Sequence, residues 1–295
     1  MPLLNMDELW GPGLIGMNTV IQPLQHAAGR VNVDPARIDL MGHAMSGHAV
    51  WNIGLHYTTY FAALFPLAGA APFDWQRLRL ANLRNTSVVV WHDATDKSVP
   101  VEQARQLTRI LTNFKYSVAY DETKNLGHAP SEEVLERGYA RMRAAVRDPY
   151  PAQVSLRSNR PDTMFNRVDW VQVYQPLHSG AERRLRIARG TGPMLVHDNA
   201  HTLNAVRSGP NRFELTGDNV GILRLYFNDQ LVDFGKPVTI TLNRRVRFEG
   251  MLTPGVEEML KDQLFLGRGW RYFTAVKDIE LMEPITRPAT RRAGS

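Results

Sequence analysis

The stretch Asp34-Pro35-Ala36-Arg37-Ile38-Asp39-Leu40-Met41-Gly42-His43-Ala44-Met45-Ser46-Gly47-His48 decides the fold. Asp34-Pro35 makes a turn, Arg37 to Met41 reads as a short buried strand, and Ser46 to Tyr57 reads as a helix. Gly42 and Gly47 bound the corner between them. A strand that turns this sharply into a helix brings the two backbones close together, which requires small residues, and it lifts the side chain at the apex, Ala44, above the sheet.

Outward from this corner, short apolar runs alternate with helix-length amphipathic stretches, as in βαβ units. Upstream, Leu14 to Ala28 predicts a helix with Pro23 at a kink or boundary. Downstream, strands are expected at Ala62–Leu67, Ser87–Trp91 and Tyr116–Tyr120. Helices are expected at Phe73–Ala81, at Pro100–Asn113 and from an N-cap at Ser131. The pattern breaks at Asp148-Pro149-Tyr150-Pro151. Beyond it, strand-like runs dominate: Val168–Tyr174, Arg184–Ala188, Thr202–Arg207, Arg212–Leu215, Ile222–Phe227, Val238–Leu242 and Arg271–Val276, with one helix at Val256–Phe265. This spacing predicts a β-sandwich. The expected organisation is therefore an α/β unit over 1–148, a β-sandwich-like domain over 149–284 and a disordered tail over 285–295.

Several segments carry a resemblance. They are Val33-Asp34-Pro35-Ala36-Arg37-Ile38 before the strand, Gly42-His43-Ala44-Met45-Ser46-Gly47 at the corner, Trp51 in the helix, and Tyr60-Phe61-Ala62-Ala63 leading to Pro66-Leu67-Ala68-Gly69-Ala70. Together they resemble the prolyl-oligopeptidase-like and polyester- or feruloyl-esterase-like serine hydrolases of the α/β-hydrolase superfamily. The resemblance implies a partial α/β-hydrolase fold, a mostly parallel sheet with helices on both faces. It also implies hydrolysis of ester or amide bonds by a Ser-Asp-His mechanism, and a nucleophile at position 44.

This chain has Ala44 there, and a methyl group cannot attack a carbonyl. Ser46 takes the place of the motif's last glycine and is the alternative nucleophile, at the cost of moving the turn by two residues. The Met45 N–H is the implied first donor of the oxyanion hole. In Trp91-His92-Asp93-Ala94-Thr95-Asp96-Lys97-Ser98-Val99-Pro100, Asp96 matches the acid that orients the base, while Asp93 replaces the family's glycine. In Asn125-Leu126-Gly127-His128-Ala129-Pro130, His128 matches the general base. Elbow, acid and base follow one another at separations of 52 and 32 residues, in the hydrolase order. His43, His48, His56, His178, His197 and His201 read as structural.

Composition narrows the rest. Without cysteine, disulfides, thiolate zinc sites and thiol nucleophiles are excluded. No spacing suits a metal, no glycine loop cradles a phosphate, and no cofactor is expected. No apolar run reaches the roughly 18 residues of a membrane helix. Residues 1–150 are charge-neutral, with 14 Lys/Arg and 14 Asp/Glu, so the whole +6 lies in the second half. Aromatic and basic residues do not interleave there as on a nucleic-acid platform, and no nucleic-acid partner is expected. Phe165, Trp170, Tyr226, Phe227, Trp270, Tyr272 and Phe273 fit either a sandwich core or a carbohydrate surface. The expected partners are thus an ester- or amide-bearing small molecule, a peptide or a glycan. Only 41 residues precede Gly42, too few for the strands that the resemblance implies upstream. A missing N-terminal piece or a dimer is expected to cover the open sheet edge. No secretory signal is visible, and localisation stays open.

Overall fold

The computed structural model of this protein describes residues 14–185, 194–266 and 271–281. The first unit is a parallel α/β sheet with helices on both faces. Strands β1 (Asp39–His43), β2 (Ala63–Leu67), β3 (Ser87–Asp93) and β4 (Val118–Thr123) form a four-stranded sheet in the order β1-β2-β3-β4, every pair parallel. The helices are α1 (Leu14–Ala28), α2 (Met45–His56), α3 (Asp74–Arg79), α4 (Val101–Asn113) and α5 (Glu132–Ala144).

Alternation along the strands explains why helices cover both faces. Leu64, Val88 and Val90 share a core with Val50 and Ile53 of α2 and Leu107 and Leu111 of α4. Their neighbours Phe65, Leu67, Val89 and Trp91 pack on the other side with Val134 and Met142 of α5. The α5 helix sits so close that a Cβ on Gly138 would lie 2.0 Å from the Phe65 ring.

Element bounds differ from the sequence reading for local reasons. β1 starts at Asp39 because Pro35–Arg37 first close a 3-10 turn, with the Asp34 side chain accepting from the Ala36 N–H. The α1 helix runs on through Pro23, losing one backbone bond there.

The second unit is a β-sandwich. One sheet has the order β14-β13-β11-β10-β5: Arg245–Gly250, Val238–Leu242, Arg212–Asp218, His201–Gly209 and Gln153–Ser158. The other has the order β15-β12-β7-β6: Ala275–Glu280, Val220–Phe227, Val171–Pro176 and Arg167–Val168. A β8–β9 pair (Glu182–Leu185 and Met194–His197) and the helix α6 (Val256–Leu266) complete it. Leu156, Leu203, Phe213 and Ile240 of the first sheet meet Val173, Leu223, Phe227 and Ile279 of the second in one core. β11 and β13 pair in parallel, while the other sandwich pairs are antiparallel.

Two expected strands are corrected. Val168–Tyr174 is split, because Asp169 takes a left-handed conformation (φ 50°) between β6 and β7. The strand expected at Arg271–Val276 begins only at Ala275, because Arg271 is drawn into the seam between the units. The strand expected at Arg184–Ala188 lies partly outside the described residues, and the tail and Trp270 lie wholly outside them. Phe165, Trp170, Phe227 and Phe273 are buried, which decides for core over a carbohydrate surface at these four. Among the described residues, no helix is long and apolar enough to cross a membrane.

The seam is a buried polar lock. Arg147 donates to Asp169 at 2.5 Å, to Thr86 Oγ1 at 2.7 Å and to the Asn85 carbonyl at 3.0 Å. Arg271 donates to the same Asp169 oxygen at 3.0 Å and also to the Thr59 carbonyl. Burial alone pushes the Asp169 carboxyl up, but the two guanidinium groups more than reverse this and hold it below the usual carboxylate range. Phe165, from beyond the proline-rich break, fills the core of the first unit. The two units are therefore joined by shared core as well as by chain.

Candidate active site

Between β1 and α2 the chain turns at a single residue, Ala44. Ala44 adopts φ 55° and ψ −116°, a strained conformation for a residue with a Cβ, and its N–H donates to the Leu67 carbonyl at 2.9 Å. Such strain costs about 1–3 kcal/mol and persists only where the surroundings enforce it. The enforcement is steric. A Cβ on Gly42 would lie 2.4 Å from the Ser46 carbonyl oxygen, and one on Gly47 would lie 2.6 Å from the Leu67 oxygen. Met45 opens α2, so its N–H is among the first four of the helix, which have no partner within it. Ser46 sits one position further into the first turn, half-buried, with no hydrogen bond to Asp96 or His128.

His128 lies beside this corner. The His43 ring is 4.9 Å from the His128 ring, and His43 Nε2 donates to the His128 carbonyl at 2.6 Å. Positive φ at Asn125 (72°) and Gly127 (69°) turns the loop after β4 back over the sheet. His128 Nδ1 donates to Asp96 Oδ2 at 2.8 Å. In the neutral ring this leaves Nε2 with its lone pair, the state a general base needs. The Asp96 side chain is fully buried while that of His128 keeps 33% exposure.

Asp96 is held from three sides. Its Oδ1 accepts from the N–H groups of Ser98 (2.8 Å) and Val99 (3.1 Å), and His92 Nε2 lies 3.3 Å from Oδ2. Burial favours the neutral acid, but hydrogen bonds from His128, Val99 and Ser98 outweigh it and hold the carboxyl below its usual range.

Sequence reasoning missed two contributors. Asp93 is a structural tie: its Oδ1 accepts from the Thr95 N–H (2.8 Å) and Thr95 hydroxyl (2.6 Å). Its Oδ2 accepts from the Thr123 hydroxyl (2.8 Å) and the Leu126 N–H (3.0 Å), which joins the acid loop to the base loop. These bonds overcome burial and keep Asp93 ionised far into acid. The departure from glycine, followed two residues later by threonine, is the signal that was available. The second is His43, whose clamp on the His128 carbonyl carries no sequence signature.

Of the other histidines, His48 accepts from the Ala70 N–H at 2.7 Å, while His56, His197 and His201 are buried. Among the described residues, no group of three His, Asp or Glu side chains suits a metal.

No known family profile and no curated protein matches the sequence. Solved structures do. A thermostable esterase aligns at 22% identity and TM-score 0.39, over 44% of this chain and 36% of that one. SOBER1 of Arabidopsis thaliana aligns at 16% identity and TM-score 0.39, over 44% of this chain and 62% of that one. A Bacillus cereus carboxylesterase aligns at 18% and 0.39, over 44% and 59%. This chain spans less than two thirds of each of them.

Proposed function

We propose that this chain is a serine-hydrolase-type member of the α/β-hydrolase superfamily, similar to its prolyl-oligopeptidase-like and esterase-like branches. Its site takes an ester- or amide-bearing small molecule, peptide or glycan and, with Ala44 at the nucleophile position, does not cleave it. One observation carries the reading: a non-glycine residue is held at φ 55°, ψ −116° on the strand–helix corner, beside a histidine bonded to a buried aspartate at 2.8 Å.

With a hydroxyl at position 44, His128 Nε2 would accept its proton as the oxygen bonds to the carbonyl carbon. The new oxyanion would face the Met45 N–H and the N-terminus of α2. His128 would then return the proton to the leaving group. The Ala44 methyl removes the first step and leaves binding. Loss of the nucleophile alone costs on the order of 10⁶ in turnover.

The test is Ala44→Ser. Expected are turnover of p-nitrophenyl acetate or butyrate and labelling of residue 44 by a fluorophosphonate, neither shown by the unaltered chain. Labelling of the unaltered chain at Ser46 would overturn the assignment.

A second reading, a pseudoenzyme or binding module, is favoured by the intact Asp93–Asp96–His128 network around a methyl that no catalytic step can use. It predicts saturable binding of an acyl ligand with no gain of turnover in Ala44→Ser.

A further inference from the structure

At the seam, the ends of α2 and α3 meet β5, β9 and β10, and polar side chains close on one another. The His56 ring lies 4.9 Å from Trp75 and 4.8 Å from Phe165, and the Arg160 guanidinium stacks 5.0 Å over Phe165. The Ser158 hydroxyl accepts from Arg79 Nη1 at 2.7 Å and from the Arg160 N–H at 3.1 Å. Ser158 is also the register partner of His201. The His197 N–H donates to the Asn159 carbonyl at 2.7 Å, and Trp75 packs with Val196. These shared neighbours group Trp75, His56, Arg79, Arg160, His197 and His201, each at most 7% exposed.

Two properties set the cluster apart. Its hydrogen-bonding capacity is unfilled: Trp75 Nε1, Arg160 Nε and Nη1, both ring nitrogens of His201, His197 Nδ1 and His56 Nε2 are buried without a partner among the described residues. Buried polar atoms are nearly always paired, so so many together point to a ligand. Its charge is also unbalanced. Arg79 bonds only neutral oxygens, those of Leu55, Ser158 and Phe165. Among the described residues Arg160 has only Asp162 as an acidic partner, at 2.6 Å and 43% exposed. Burial and then the neighbouring Arg79 lower His56 well below its usual value and His201 to about 3, so both rings are neutral near pH 7 and add no charge. Trp75 and Arg160 are obligate donors. Water would satisfy their hydrogen bonds but leave the charge uncompensated, and a metal cation would add to it.

We propose that this cluster binds a small oxyanion, a carboxylate or inorganic phosphate, between the Trp75 N–H, the Arg160 guanidinium and a His201 N–H, and that the anion pins the sandwich to the α/β unit. The idea is independent of the hydrolase reading. Such a ligand stabilises the folded chain by mass action.

The experiment titrates the full chain, in buffer with sodium chloride at fixed ionic strength, with inorganic phosphate and separately with acetate, following Tm and heat of binding. Expected is a saturable heat with one of the two and a Tm rise of about 3 °C per tenfold of that anion beyond saturation. Trp75→Phe, which removes the unpaired N–H along with part of the buried ring, and Arg160→Gln should each weaken binding at least tenfold while the far-UV circular dichroism stays unchanged. Comparison with these variants also removes the general stabilisation by excluded salts. A response equal in all three proteins, or none beyond sodium chloride, shows ordered water only and overturns the proposal. Should Arg160→Gln fail to fold, Trp75→Phe alone decides.

Discussion

The strand-end site and the seam are both polar regions anchored in the same α/β unit, and they close their hydrogen bonds differently. At the strand ends, both oxygens of Asp93 and both of Asp96 are occupied, by N–H and hydroxyl groups of their own loop and by Thr123, Leu126 and His128 of the loop that follows β4, all within one unit. At the seam, Asp169 is reached by Arg147 and Arg271, 22 and 102 residues away, and the nearby Trp75–His201 cluster leaves atoms unmatched. The strand-end network is assembled inside one unit, by two loops that the parallel sheet sets side by side. A long-range network exists only once both units have docked. The first suits a site that must stay pre-shaped, the second a joint.

The largest effect that would break this comparison is catalytic. In an Ala44→Ser background, Asp96→Asn should lower kcat by about 10⁴ through loss of the oriented base, whereas Trp75→Phe should leave kcat unchanged. Equal losses would mean that the joint, too, shapes the site.

Next comes Asp169→Asn. It strands two buried guanidinium groups and should cost about 3–5 kcal/mol by urea unfolding. Because the Asp169 pKa is depressed in the fold, its contribution is fully present above the unfolded value near 4 and is lost as pH falls through the folded one. The substituted chain should therefore lose less stability on acidification than the parent.

Smaller is Asp93→Asn, expected to cost about 1–3 kcal/mol and to raise hydrogen exchange at the Leu126 amide, since that N–H loses its charged acceptor. Smallest is Trp75→Phe without added anion. The gain from removing a buried unpaired donor and the loss from the space left by the smaller ring oppose each other, and the net change should stay within about 1 kcal/mol.

The legibility of the molecule follows the same division. The corner could be read because Gly42, Ala44 and Gly47 answer to backbone constraints within one turn. Asp96 and His128 could be read because the parallel order of β1 to β4 brings successive strand ends together. Asp93 looked like a flaw in a glycine loop, and its role emerges only with Thr123 and Leu126 in place. The seam left no periodic trace: Arg147, Asp169 and Arg271 meet only where the two units dock. The same docking removed the expected strand at Arg271 and put the left-handed kink at Asp169.

Gly138 carries a consequence for anyone adjusting this scaffold. The loop bearing His128 runs directly into α5, and α5 rests on the Phe65 ring with no room for one extra methyl. A glycine inside a helix invites replacement by alanine to stiffen it. Here that exchange would jack the helix off its bed, so a change chosen for robustness would displace the loop that carries His128.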